Sequence, residues 1–165
     1  MSEKQLPKRA IIGLSLMLVL LVVSIIVRSI AGGWFNDNVT PAPAVKLSPE
    51  FTNTGIIETL DSEAYNNLAA EKKTFLFATY LPSCSADLVN FVARLAEEKK
   101  ITVYYYTWEN FRESPLHNTI KYAPSFGIVV NGELVAHLRS DSEADAHIYN
   151  SYEDFVSWIA GIVEL

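Results

Sequence analysis

Asn131-Gly132, set between the apolar runs Phe126–Val130 and Glu133–Leu138, constrains the fold of this chain more than any other pair of residues. Asn-Gly between two such runs is the sequence of a type I′ turn, whose twist matches that of an antiparallel pair, so a β-hairpin is predicted here. Upstream, Thr74–Tyr80 and Ile101–Trp108 read as strands, the second rich in β-branched and aromatic residues. Between them, Ser85–Lys100 carries Leu88, Phe91, Val92 and Leu95 at helical spacing, with Glu97, Glu98, Lys99 and Lys100 at the solvated end. A crossover long enough to hold a helix allows its two strands to pair in parallel. A parallel crossover and a hairpin in one domain require a mixed sheet.

The remaining elements fill in around these. Gly55–Leu60 reads as a short strand, and Asp61 or Ser62 can cap a helix running to about Lys73 with Tyr65, Leu68 and Ala69 on one face. Phe75, Leu76 and Phe77 in succession suit a central strand covered on both sides. Residues 110–122 read as a loop with a short helix. Residues 140–150, with Asp141, Glu143 and Asp145, read as a solvated loop without the central glycine of a calcium site. Ser151, with Asp154 three residues on, opens a last helix that turns Phe155, Trp158, Ile159 and Ile162 inward. The order β-α-β-α-β-α-β-β-α predicts an α/β fold, a three-layer α/β/α sandwich with a mixed sheet.

Ahead of this domain the composition changes. Ala10–Val27 holds no charged residue. At about 1.5 Å per residue it nearly crosses a bilayer core, and the turn through Ile30 completes the span. Arg28 can snorkel to the interface, and Trp34 and Phe35 follow where an aromatic belt would sit. Lys4, Lys8 and Arg9 precede the run, which puts the N-terminus in the cytoplasm and the domain outside the membrane. The run is longer than the ~7–15 residues of a signal core, and Arg28 crowds the small-residue site Ser29-Ile30-Ala31, so it reads as an uncleaved anchor. The expected organisation is a basic N-terminus over 1–9, a transmembrane helix over 10–31, a tether over 32–54 and the folded domain over 55–165. The tether holds Gly32-Gly33 and Thr40-Pro41-Ala42-Pro43 and shows no sustained period. Asn38-Val39-Thr40 within it matches a glycosylation sequon.

Charge and cysteine count exclude several functions. Residues 1–32 hold Lys4, Lys8, Arg9 and Arg28 against Glu3, so with a formal net charge of −6 for the chain the remainder carries −9. An acidic domain of this kind is a poor partner for phosphate backbones, and no nucleic-acid role is expected. The single cysteine, Cys84, rules out an internal disulfide. His117, His137 and His147 are too scattered for a ligand set, so neither a metal nor a cofactor is expected.

This order of elements, with Cys84 just after the second strand and Pro124 just before the hairpin, resembles the thioredoxin family over about residues 55–165. F-L-F-A-T-Y-L-P-S-C looks like the strand that leads into the family's Cys-x-x-Cys corner. Ala123-Pro124-Ser125 sits where the family has its cis-proline loop, and the Asn-Gly hairpin and capped final helix follow in order. The resemblance implies that Pro124 is cis and faces Cys84, and that the Ala123 backbone can pair with an extended substrate strand. It also places Tyr80, Pro82 and Ser83 in the binding surface around the thiol.

The departure from the family pattern is the second cysteine. In one register the motif reads Cys84-Ser85-Ala86-Asp87, and Asp87 stands at the resolving position. This register is similar to that of bacteriocin-transport-accessory-like thioredoxins, which carry Pro-Thr/Ser-Cys at the corner. In the other, Leu81-Pro82-Ser83-Cys84, the nucleophile has become Leu81 and Cys84 would be buried and inert. A helix N-terminus lowers the pKa of a thiol, whereas an anion one turn on raises it. Three classes of function follow: a monothiol exchange protein resolved by an outside thiol; a non-catalytic module that binds an extended peptide or partner protein; and a scaffold subunit of a membrane assembly. Tyr80, Tyr104, Tyr105, Tyr106 and Trp108 line a groove near the corner in one reading and pack the core in the other.

Overall fold

A computed structural model describes residues 44–81 and 86–165. The expected transmembrane helix over 10–31, most of the expected tether, and the corner residues Pro82, Ser83, Cys84 and Ser85 lie outside the described residues. Among the described residues no helix is long and apolar enough to cross a membrane.

Five strands form the main sheet: β2 (Ile57–Leu60), β3 (Phe75–Tyr80), β4 (Val103–Thr107), β5 (Ser125–Val130) and β6 (Glu133–His137), in the order β2-β4-β3-β5-β6. β4 runs parallel to both β2 and β3, with Leu76 opposite Val103 and Tyr80 opposite Thr107. β5 is antiparallel to β3 and to β6. The turn between β5 and β6 has Asn131 at φ 51° and Gly132 at φ 84°, the positive pair a type I′ turn demands. The sheet is mixed, as the hairpin and the crossover together require.

Alternation along the central strands divides the core in two. Leu76 and Ala78 of β3 face one side with Val103, Phe126 and Ile128, and there meet α2 (Ala86–Lys99) through Leu88, Val92 and Leu95. α5 (Tyr152–Ala160) joins the same side through Tyr152, Phe155 and Ile159, and the one-turn α4 (Ala146–Asn150) adds Ile148. Phe75 and Phe77 face the other side, with Tyr104 and Tyr106, against Tyr65 of α1 (Ser62–Ala70) and Phe111 of the short α3 (Trp108–Phe111). Helices therefore cover both faces of the sheet. Gly127 is what lets Phe77 lie flat on β5, because a Cβ there would run into the Phe77 ring. Both predicted caps form: the Asp61 side chain accepts from the Ala64 N–H at 2.8 Å, and Ser151 Oγ accepts from the Asp154 N–H at 3.2 Å.

Two expectations are corrected. The tether, expected to reach residue 54, ends earlier. β1 (Val45–Lys46) pairs in parallel with β7 (Val163–Glu164), and the Val45 N–H donates to the Ile162 carbonyl at 3.0 Å. Leu47 and Phe51 are both buried, at 5% exposure, one on each side of the sheet. Ser48 exchanges bonds with Thr74 at the start of β3, and the Thr102 N–H donates to the Phe51 carbonyl just before β4. A proline-bearing segment without a repeat reads as linker, but two isolated large apolar residues suffice to strap it across the starts of the strands. The second correction concerns residues 140–150, expected to be a solvated loop. Their last five residues form α4, which docks by Ile148 at 6% exposure.

Phe51 meets Phe75 and Tyr104 edge-on, at centroid distances of 6.3 and 5.7 Å. Removing a buried aromatic from such a cluster leaves a cavity, and Phe51→Ala is expected to cost about 3–5 kcal/mol. Urea unfolding followed by tryptophan fluorescence measures it. A cost within about 0.5 kcal/mol, the range of a surface substitution, would return residues 45–54 to the status of linker.

Candidate functional site

The strap holds the starts of the central strands, so the loops at their other ends are free to carry a site, the usual location in open α/β sheets. β3 ends at Tyr80 and α2 begins at Ala86. Cys84, Pro82 and Ser83 fall in the connection between them, outside the described residues.

The neighbouring loop is fixed from below by a buried set of hydrogen bonds. Ser125, fully buried at the start of β5, donates from its N–H to Thr79 Oγ1 at 3.1 Å and from its Oγ to the Leu138 carbonyl at 2.6 Å. The Thr79 hydroxyl donates in turn to the Ser125 carbonyl at 3.5 Å. Strands β3 and β5 and the end of β6 are thus tied together directly beneath Ala123 and Pro124. The peptide bond between those two residues is cis. The Tyr149 hydroxyl of α4 donates to the Pro124 carbonyl at 2.9 Å. Among the described residues, neither the N–H nor the C=O of Ala123 has a hydrogen-bond partner.

An open pocket of about 320 Å³ lies beside this loop, lined by Asp87, Leu88, Pro124, Ser140, Ala146, Tyr149 and Asn150. Its walls come from the first turn of α2, the Pro124 loop and the 140–150 segment. The structure thus brings together two of the sequence-predicted residues, Asp87 and Pro124, with Ala123 next to them. Tyr80 is not among the lining residues. It lies half-buried against Tyr105, ring centroids 5.2 Å apart, and the Tyr105 hydroxyl donates to the Val89 carbonyl of α2 at 3.0 Å. Burial, with Tyr80 alongside, pushes the Tyr105 phenol up to about 12. Tyr104 and Tyr106 pack in the core on the opposite face, and Trp108 stacks on Phe111 at 5.5 Å. The tyrosines and tryptophan near the corner serve packing rather than this pocket.

Ser140, Ala146, Tyr149 and Asn150 were not legible as site residues, because three carboxylates in the segment suggested nothing beyond solvation. The Asp145 carboxylate is instead turned inward on its own loop, accepting from the Arg139 N–H at 2.9 Å and lying 3.4 Å from Arg139 Nε. Ile148 and Tyr152, four residues apart on successive short helices, were the available signal that this segment packs. Among the described residues no three His, Cys, Asp or Glu gather into a group that could hold a metal.

Burial raises the Tyr149 phenol above its ordinary value of 10.0, with Asp145 and Asp141 adding to the effect. The folded chain therefore keeps this proton where the unfolded chain loses it. The contribution is complete below about pH 10 and is lost as pH rises further. Tyr149→Phe is expected to cost about 0.5–1.5 kcal/mol at neutral pH, from the bond to Pro124, and to flatten the loss of stability above about pH 10. Urea midpoints across the alkaline range check both, and parallel alkaline curves for the two proteins would show that Tyr149 takes no part.

No protein-family model matches the chain, and no curated protein sequence does. Solved structures do match. A mutant thioredoxin from Halobacterium salinarum is 14% identical, with a TM-score of 0.54, over 69% of this chain and 96% of its own. Thioredoxin f from spinach chloroplast, in its short form, is 16% identical with a TM-score of 0.49, over 66% of this chain and 95% of its own. A structure of ferredoxin:thioredoxin reductase in complex with thioredoxin f2 matches at 18% identity and a TM-score of 0.48, over 66% of this chain and 96% of that one. The halobacterial likeness shows the fold: the described domain has the thioredoxin fold.

Proposed function

We propose that this chain is a membrane-anchored, extracytoplasmic thioredoxin-fold protein that takes an extended segment of a partner protein along the Ala123–Pro124 loop and exchanges disulfides with it through Cys84. One observation carries the reading. Among the described residues the Ala123 N–H and C=O are both unpartnered, and they lie beside an open pocket on a loop otherwise pinned by buried hydrogen bonds. A strand end with a free donor and acceptor is what an extended peptide pairs with. Support for the anchor is the uncharged Ala10–Val27 run with Lys4, Lys8 and Arg9 before it.

With one thiol the chemistry is exchange rather than net reduction. The Cys84 thiolate attacks one sulfur of a partner disulfide, and the other sulfur leaves as a thiolate. An outside thiolate then attacks the partner's sulfur in the mixed disulfide, and Cys84 leaves as a thiolate again. One disulfide has been replaced by another, and no electrons are gained or lost overall. A second reading is favoured by Asp87, an exposed carboxylate in the first turn of α2 where a resolving thiol would stand in one register. There the groove binds its partner and Cys84 takes no part.

The rate at which Cys84 in the folded chain reacts with a chromogenic disulfide, compared with the same chain in urea, tests the exchange. Exchange predicts faster reaction when folded, with a mixed disulfide at Cys84 that a small thiol releases. Slower reaction when folded, together with undiminished partner binding by Cys84→Ser, would leave the binding reading in its place. Labelling of Cys84 in intact cells by a membrane-impermeant maleimide tests the topology; labelling only after lysis would put the domain on the cytoplasmic side.

A further inference from the structure

The chemistry of the pocket beside the Ala123–Pro124 loop is lopsided. Leu88, Pro124, Ala146 and the Tyr149 ring supply apolar wall, and Asp87, Ser140 and Asn150 supply polar groups. No lysine or arginine lines it among the described residues. The Asp87 carboxylate is exposed and has no ion-pair partner among the described residues, and the Ser140 and Asn150 side chains make no hydrogen bond there. The cation nearest in sequence, Arg139, is already taken, by the Asp145 carboxylate at 3.4 Å and the Ser142 hydroxyl at 3.0 Å. The Tyr149 hydroxyl is likewise committed to the Pro124 carbonyl. What remains is one uncompensated carboxylate and two neutral hydrogen-bonding groups above an apolar floor.

We infer that this pocket receives a lysine or arginine side chain of the partner's extended segment. The inference rests on the reading that such a segment pairs with Ala123. A long methylene stem with a cationic head matches the lining group for group, since such side chains lay their stems on apolar surface and keep the head among polar groups. A glutamate would face Asp87 with like charge, and an aliphatic side chain would leave it without a counterpart. About 320 Å³ is at the small end for ligand pockets, which suits one side chain better than a cofactor. The −9 carried beyond residue 32 steers a basic segment toward the domain.

The test uses the full chain in detergent micelles carrying Cys84→Ser, so that covalent capture contributes nothing. Three fluorescein-labelled peptides of one β-forming sequence, differing only in a central lysine, norleucine or glutamate, are titrated by anisotropy. The lysine peptide is expected to bind at least about threefold more tightly than the norleucine peptide, with the glutamate peptide weakest. Asp87→Asn should erase that preference, Asp87→Glu should keep it, and Asp87→Lys should invert it, each variant being compared at an unchanged thermal midpoint. Ala146→Phe, which fills the pocket from an exposed position, should weaken all three peptides. If all three bind within about twofold of one another and Ala146→Phe still weakens them, the basic side chain is wrong and the groove reading stands. If Ala146→Phe changes nothing, or none of the peptides binds, both fall.

Discussion

The fully buried Ser125 is the hinge-pin of this domain. Its amide and hydroxyl, with the Thr79 hydroxyl, tie the end of β3, the start of β5 and the exit of β6 into one knot away from water. Buried polar groups of this kind are costly when half satisfied and hold a single geometry when fully satisfied. The loop above them has little freedom left, and the Tyr149 bond to the Pro124 carbonyl removes more. The rigidity of the site is therefore inherited from the core. Among the described residues the Ala123 backbone is unpartnered, directly above a set of groups that are all hydrogen-bonded.

The sheet was legible because its signals are local. Asn131-Gly132 demands a hairpin, the stripe Leu88, Val92, Leu95 demands a helix between parallel strands, and Phe75 with Leu76 and Phe77 announces a strand buried on both faces. Asp87 and Pro124 could also be picked out, because each occupies a marked position in that order. The strap and the third wall of the pocket were not legible, for one shared reason. Each docks through one or two apolar residues set in polar or proline-bearing sequence: Leu47 and Phe51 in one, Ile148 and Tyr149 in the other. No periodicity can form over so few contacts, and their partners lie far away in the chain.

The 140–150 segment is also what gives the site a character of its own. It follows the hairpin and precedes the last helix, and it supplies four of the seven residues around the pocket. Its acidity is partly internal, since Asp145 answers Arg139 within the loop. Among the described lining residues the one carboxylate belongs to α2, which also gives the apolar Leu88, whereas the 140–150 segment gives the neutral polar groups Ser140 and Asn150.

The β1–β7 pairing has a mechanical meaning. Val45 and Val163 lie side by side, so the described chain enters the domain next to where it leaves. Tension applied at residue 44 loads this two-residue parallel ladder lengthwise before it reaches anything in the five-stranded sheet. Behind the ladder, Leu47 and Phe51 are buried on opposite sides of the sheet, so a load entering at residue 44 meets two packed anchors between the ladder and the strand starts.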